Sequence, residues 1–132
     1  MKPTRLVACV CLGLAIPAGF GEARAADPAA GQKVYSKCRS CHEVGENAAN
    51  AVGPVLNGLF GRKAGSVEGY VYSDAYKSIS KVWDEENFAN YIRDPRGTTP
   101  GTKMVFSGLK NDEDIANLTA FLKQFGPDGR KI

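Results

Sequence analysis

Cys38 and Cys41 stand two residues apart with His42 directly behind them, in the run Cys38-Arg39-Ser40-Cys41-His42. A C-x-x-C-H pentapeptide is the attachment site of a c-type haem: both sulfurs add to vinyl groups of the macrocycle and the adjacent imidazole coordinates the iron. Two intervening residues let the sulfurs reach neighbouring pyrrole rings while the next side chain turns beneath the metal. The same residues could instead form a thioredoxin-like dithiol or half of a zinc site. A zinc site wants four ligands, and beyond this run the chain has no other histidine and only Cys9 and Cys11. A redox dithiol is expected at a strand-helix junction of an α/β pattern, which is not what surrounds this pair.

A haem held at His42 leaves the other face of its iron open. What fills that face separates an electron carrier from a protein that binds or activates small ligands. With a single histidine in the chain, ligation by two imidazoles is impossible. Beyond the initiating residue there is one methionine, Met104, which lies 62 residues past His42 in a Pro-Gly loop. A lone methionine is more often a gap-filler in a core. Here Pro100 stiffens the loop, Gly101 follows it, and no other soft ligand exists. Met104 is therefore the expected second axial ligand. A thioether is a neutral, soft donor that favours Fe(II), so His/Met ligation raises the reduction potential.

The elements that must position these residues read as helices joined by long loops. Asp27-Pro28 is a strong helix start, an N-cap oxygen followed by the residue best tolerated at the first helical position. That helix is expected to run to about Lys37, turn Gly31, Val34 and Tyr35 inward, and deliver Cys38 at its end. From Glu43 to Tyr72 no hydrophobic period is sustained, and glycines recur at 45, 53, 58, 61, 65 and 69. Such a stretch makes sense if it wraps a flat prosthetic group, which needs backbone in unusual conformations at close approach. Ser73 can cap a short turn over residues 74–78. Asp84 can cap a longer helix, with Glu85 and Glu86 against the positive end of its dipole and Phe88, Tyr91 and Ile92 as its buried stripe. Pro95 forces Asp94 out of helical geometry and ends it. Residues 96–104 are a loop by composition. A final helix opens at Asn111, carries Ile115, Leu118, Phe121, Leu122 and Phe125 on one face, and stops at Gly126-Pro127. No alternating strand pattern of useful length occurs, so the fold class is all-α: three main helices, short helical turns and long loops around one haem.

At 132 residues the chain is one domain at most. Lys2 and Arg5, an apolar run from Leu6 to Ile16, and Ala23-Arg24-Ala25 follow the order of a secretory signal peptide. Residues 1–25 are thus expected to be a cleaved leader, with Ala26 the alternative cut, and residues 26–132 the mature domain. The apolar run is too short for the ~20 residues that span a bilayer, so no membrane span is expected. Leu6-Val7-Ala8-Cys9 resembles a lipoprotein box but precedes most of the apolar run instead of following it. Removing the leader leaves 107 residues, with 14 Lys and Arg against 13 Asp and Glu, a net charge of +1. So nearly neutral a domain does not point to nucleic acid. Cys38 and Cys41 alone remain, and a haem accounts for a lone close pair in an oxidising compartment, where structural disulfides are the norm. Burying the macrocycle also supplies apolar surface that so small a core lacks.

Taken in order, Cys38-Arg39-Ser40-Cys41-His42, Gly53-Pro54, Gly58-Leu59-Phe60-Gly61-Arg62-Lys63, Tyr72-Ser73-Asp74, Trp83 and Pro100-Gly101-Thr102-Lys103-Met104 resemble the signature of class I cytochromes c, of the bacterial c2 and mitochondrial types. The match covers essentially the whole mature chain with its spacings kept. The resemblance implies that the Pro54 carbonyl accepts from His42 Nδ1, fixing the ring. It implies that Arg62, Tyr72, Trp83 and Thr102 meet the haem propionates, which need partners when buried. Tyr91 would lie near the Met104 sulfur, and Gly31 and Tyr35 would pack against Leu118 and Phe121. One departure stands out: the family commonly has asparagine in a buried hydrogen-bonded network where this chain has Tyr76.

The reading is a soluble periplasmic one-electron carrier, a monomer without catalytic residues, that docks transiently on redox protein partners of a respiratory or photosynthetic chain. Weak redox encounters use small interfaces, and local charge steers them. Lys33, Lys37, Arg39, Lys63 and Lys103 flank the haem-binding segments and could form a basic rim. The alternative is a haem peroxidase or small-ligand-binding sensor in which Met104 is a labile ligand.

Overall fold

A capping side chain opens every helix of the computed structural model, which describes residues 24–132. Asp27 accepts from Ala29 N (2.8 Å), Ser73 from Tyr76 N (3.1 Å), Asp84 from Asn87 N (2.7 Å), Asp94 from Gly97 N (3.0 Å) and Asn111 from Asp114 N (3.0 Å). Each bond satisfies an amide that the helix itself leaves unpaired. The helices they start are α1 (Pro28–Tyr35), α2 (Asp74–Lys77), α3 (Glu85–Arg93), α4 (Pro95–Thr98) and α5 (Asp112–Leu122). The expected leader lies outside the described residues except for Arg24 and Ala25, as do Cys9 and Cys11.

The three main helices are α1, α3 and α5, and α1 packs chiefly on α5. Their crossing is close because Gly31 has no side chain. A Cβ there would overlap the Asn117 carbonyl and come within 2.7 Å of Phe121 Cβ. Next to it Tyr35 meets Phe121 with ring centroids 5.2 Å apart. Asn117, buried, accepts from Asp27 N through Oδ1 at 2.7 Å, tying the start of α1 to the middle of α5. Leu118, expected at this crossing, is buried in the same core cluster as Val34 and Phe121 and also lines the cavity described below. On α3 the expected stripe of Phe88, Tyr91 and Ile92 is buried.

Three boundaries differ from the sequence reading. Helix α1 ends at Tyr35, two residues early, and the chain runs through turns so that Cys41 N and His42 N both bond Cys38 O. Residues 95–98, of which 96–98 were read as loop, form α4: Pro95 cannot extend α3, yet its fixed φ suits the first position of a new turn, and Asp94 caps it. Helix α5 ends at Leu122, short of Phe125. Gln124 N and Phe125 N bond back only three residues, while the Phe125 carbonyl turns away to accept from Gly58 N. No strand forms among the described residues, only isolated bridges at Lys63–Val82 and Phe125–Lys131. None of the described helices is long and apolar enough to cross a membrane.

Candidate functional site

The turns after α1 bring Cys38, Cys41 and His42 to one wall of a cavity of about 240 Å³. Neither cysteine is in a disulfide. Burial pushes the Cys38 thiol up to about 11; Lys37 opposes the shift and Cys41 adds to it. This thiol is neutral and half-buried at physiological pH, unlike the low-pKa thiolate of a reactive dithiol. Among the described residues no group of three or more His, Cys, Asp or Glu could hold a metal ion, which leaves the zinc reading without donors.

His42 is fixed before any metal is considered. Its Nδ1 donates to the Pro54 carbonyl at 2.7 Å, so the neutral ring keeps its Nε2 lone pair free. Burial lowers its pKa, the Pro54 bond opposes this, and the Arg62 cation lowers it further, so the imidazole is unprotonated at neutral pH. Tyr35 Oη donates to the His42 carbonyl at 2.6 Å, and Cys41 O accepts from Gly53 N at 2.7 Å, closing a loop around the ring. Gly53 packs on the imidazole face: an added Cβ would overlap Cε1 and stand 2.7 Å from Nδ1 and Nε2. The other five glycines singled out between residues 45 and 69 all have positive φ, which explains why the segment could sustain no helix or strand period.

The rest of the wall comes from distant stretches. Met104 lines it from the loop after α4, where its N donates to Thr102 Oγ1 at 3.2 Å. Tyr91, buried on α3, donates from Oη to Met104 Sδ at 3.3 Å. Arg62, Tyr72, Trp83, Thr102 and Pro54 are also on the lining, so every residue expected at the site meets the same cavity. Arg62 is informative. Its Nη1 donates to the Val55 and Asn57 carbonyls, both at 3.0 Å, but among the described residues no carboxylate pairs with it. Burial lowers its pKa while Tyr72 and Tyr76 raise it. A half-buried cation without an anion among the described residues, beside apolar Leu56, Leu59, Phe88, Ile92, Leu118 and Leu122, suits an apolar macrocycle that carries carboxylates. The residues therefore fit a haem.

Of the candidate basic rim, Lys37 and Lys103 border the cavity; Lys33, Arg39 and Lys63 do not. Lys103 Nζ donates to the Val71 carbonyl at 2.8 Å, linking the methionine loop to the segment before α2. Tyr70 and Phe106 belong to the lining but had no assigned role from sequence, because an aromatic in a loop without period carries no signal of which way it faces.

A family model described as "Cytochrome c" matches residues 28–126. A "Cytochrome c-554" from Methylosinus trichosporium is 50% identical over 126 residues, 96% of this chain and 95% of its own. A "Cytochrome c2" from Rhodoplanes tepidamans is 57% identical over 105 residues, 80% of this chain and 98% of that one. Among solved structures, "cytochrome cH from Methylobacterium extorquens" matches with a TM-score of 0.69 and 39% identity, over 74% of this chain and 98% of that chain.

Proposed function

The chain belongs to the cytochrome c family, so it holds one covalent c-type haem and carries electrons instead of catalysing a reaction; on that premise we propose that it is a one-electron shuttle whose iron sits between His42 and Met104. The bound haem supplies an Fe(III)/Fe(II) couple, and the residues of this chain set how that couple is held. Cys38 and Cys41 anchor it through thioethers. His42, with Nδ1 committed to Pro54, offers Nε2 in one fixed orientation. Met104 offers a soft sulfur, steadied by the Tyr91 hydroxyl. Arg62, Tyr72, Trp83 and Thr102 receive the propionates, which supply the anion that Arg62 lacks among its protein neighbours.

The observation that carries this reading is the Tyr91 Oη to Met104 Sδ contact at 3.3 Å on the wall of the cavity that His42 also lines. A methionine serving as core filler would be surrounded by carbon. This one has its sulfur hydrogen-bonded and its loop braced by Thr102 and Lys103. Were His42 and Met104 both to hold the iron, no coordination site would be left for a substrate, which would favour electron transfer over peroxidase or gas-sensing chemistry.

Electrons would pass at the cavity mouth, where Val52 and Val105 are 73% and 81% exposed beside Lys37 and Lys103. Small apolar contact with a charged surround suits a monomer that must release its partner quickly. Residues 1–25 would be an export leader cut after Ala25 or Ala26, leaving residues 26–132 in the periplasm. The Methylosinus relative supports a shared N-terminal segment, since a match over 96% of this chain reaches into it. The test is carbon monoxide added to the reduced holoprotein. A closed His/Met iron leaves the spectrum unchanged on mixing; prompt formation of a carbonyl spectrum contradicts the closed site.

A further inference from the structure

Residues 53–58 carry the carbonyl that orients His42, yet no helix or strand contains them. Their backbone is held by bonds to scattered parts of the chain. Gly53 N donates to Cys41 O at 2.7 Å, Leu56 N to Glu43 O at 3.0 Å and Gly58 N to Phe125 O at 3.0 Å. Pro54 itself has no N–H to anchor it, and the bond from Val55 N to Asn50 Oδ1 (3.0 Å) is exposed, where water competes for both groups. Asn57 supplies a firmer hold. Gly45 N donates to its Oδ1 at 2.9 Å, and its Nδ2 donates back to the Gly45 carbonyl at 2.8 Å, so one side chain clasps the loop across 12 residues.

The clasp is covered. After α5 the chain turns back on itself, with Gly126 N donating to Arg130 O, Gly129 N to Gly126 O and Ile132 N to Gln124 O, all at 2.9 Å. Gly129, buried and at φ +78°, lies directly on the clasp: a Cβ there would stand 2.1 Å from the Gly45 carbonyl oxygen and 2.7 Å from Asn57 Nδ2. Pro127 presses on the next residue, since a Cβ on Gly58 would come within 2.9 Å of its Cα. Water is thereby kept from the two bonds that Asn57 makes.

We propose that Asn57 is a positioning residue for His42: roofed by the hairpin of residues 126–132, its clasp on Gly45 holds the loop so that the Pro54 carbonyl stays on His42 Nδ1. That bond makes the imidazole a stronger donor, which favours Fe(III). A loosened loop should therefore raise the reduction potential. The role presupposes that His42 holds the iron, as proposed above, and adds what holds His42.

Four holoproteins test it. Asn57→Leu, of nearly the same size, removes both bonds of the clasp. Its redox equilibrium should move about two- to fivefold toward Fe(II), a part of what one whole hydrogen bond contributes, and in the reduced protein the His42 Nδ1 proton resonance should move upfield as its bond weakens. Gly129→Ala, which forces the hairpin off the clasp, should shift both in the same direction. Ile115→Val, a buried change away from the cavity, lowers stability without touching the loop and should move neither. In the unsubstituted reduced protein the Asn57 side-chain amide should exchange with solvent more slowly than that of exposed Asn87. An unmoved potential and Nδ1 resonance in Asn57→Leu, equal shifts in Ile115→Val, or exchange at Asn57 as fast as at Asn87 would each overturn the proposal. If the His42 ring protons of the unsubstituted protein lack the haem ring-current shift, the ligand assignment fails and the positioning role goes with it. If they show that shift while Asn57→Leu changes nothing, the positioning role fails alone.

Discussion

His42 owes its orientation to two neighbours without functional side chains. The Pro54 carbonyl takes the Nδ1 proton and Gly53 lets the backbone lie on the ring. Gly53→Ala should therefore push the imidazole off its axis, at a cost of roughly 1–3 kcal/mol of stability from overpacking, and with partial loss of the low-spin spectrum. Denaturant midpoints and optical spectra of the holoprotein would check both. Cys38, Cys41 and His42 were legible in the sequence because covalent attachment dictates residue type and spacing together. Met104 was singled out by elimination, and the structure puts it on the wall of the cavity that His42 lines. Pro54 became visible only through family resemblance, since a backbone acceptor leaves no mark on residue choice. Tyr70 and Phe106 left no mark either, as their orientation depends on the folded loop.

At the scale of elements, caps were the strongest signal: Asp27, Ser73, Asp84 and Asn111 each open the helix expected of them. Helix ends were harder to read, because they depend on partners far along the chain. Phe125 leaves α5 because its carbonyl has a better partner in Gly58 N, 67 residues away. Helix α4 was missed because Gly97 and two threonines read as loop, and only the Asp94 cap makes the turn worthwhile. Thr99, at the C-cap of that turn, is 5% exposed, and its Oγ1 has no hydrogen-bond partner among the described residues. A buried hydroxyl without a partner costs about 1–3 kcal/mol. Thr99→Val, of nearly the same shape, should raise stability by about 1 kcal/mol, seen as a higher denaturant midpoint with unchanged slope. A lower midpoint would mean that the hydroxyl is satisfied.

For the whole molecule the organising fact is that one cavity draws on residues from 37 to 122, so that the turns after α1, the helices α2, α3 and α5 and the loops between them share a wall. The all-α class and the wrapping loops were legible from the absence of strand period and the run of glycines; the common wall was not, because it is made by non-local packing. Surface ion pairs such as Arg93–Asp112 (2.7 Å) and Arg130–Glu46 (3.1 Å) are exposed and contribute little. On the proposed docking, charge would act instead at the mouth, where Lys37 and Lys103 line the cavity together with exposed Val52 and Val105. Electron exchange with an acidic partner should slow as salt is added, since screening shortens the reach of those lysines. Lys37→Gln with Lys103→Gln should flatten that dependence in stopped-flow measurements, and a rate independent of salt would remove the basic rim from the account.

The proposed account depends most on Met104, because attachment at Cys38, Cys41 and His42 would suit haem proteins of several kinds, while a second, soft ligand would restrict this one to electron transfer. The direct measurement is the spectrum and reduction potential of Met104→Ala. Loss of the thioether-to-Fe(III) band, together with a markedly lower potential, is the expected result. A variant that keeps both the spectrum and the potential of the unsubstituted protein would contradict His/Met ligation and the shuttle built on it.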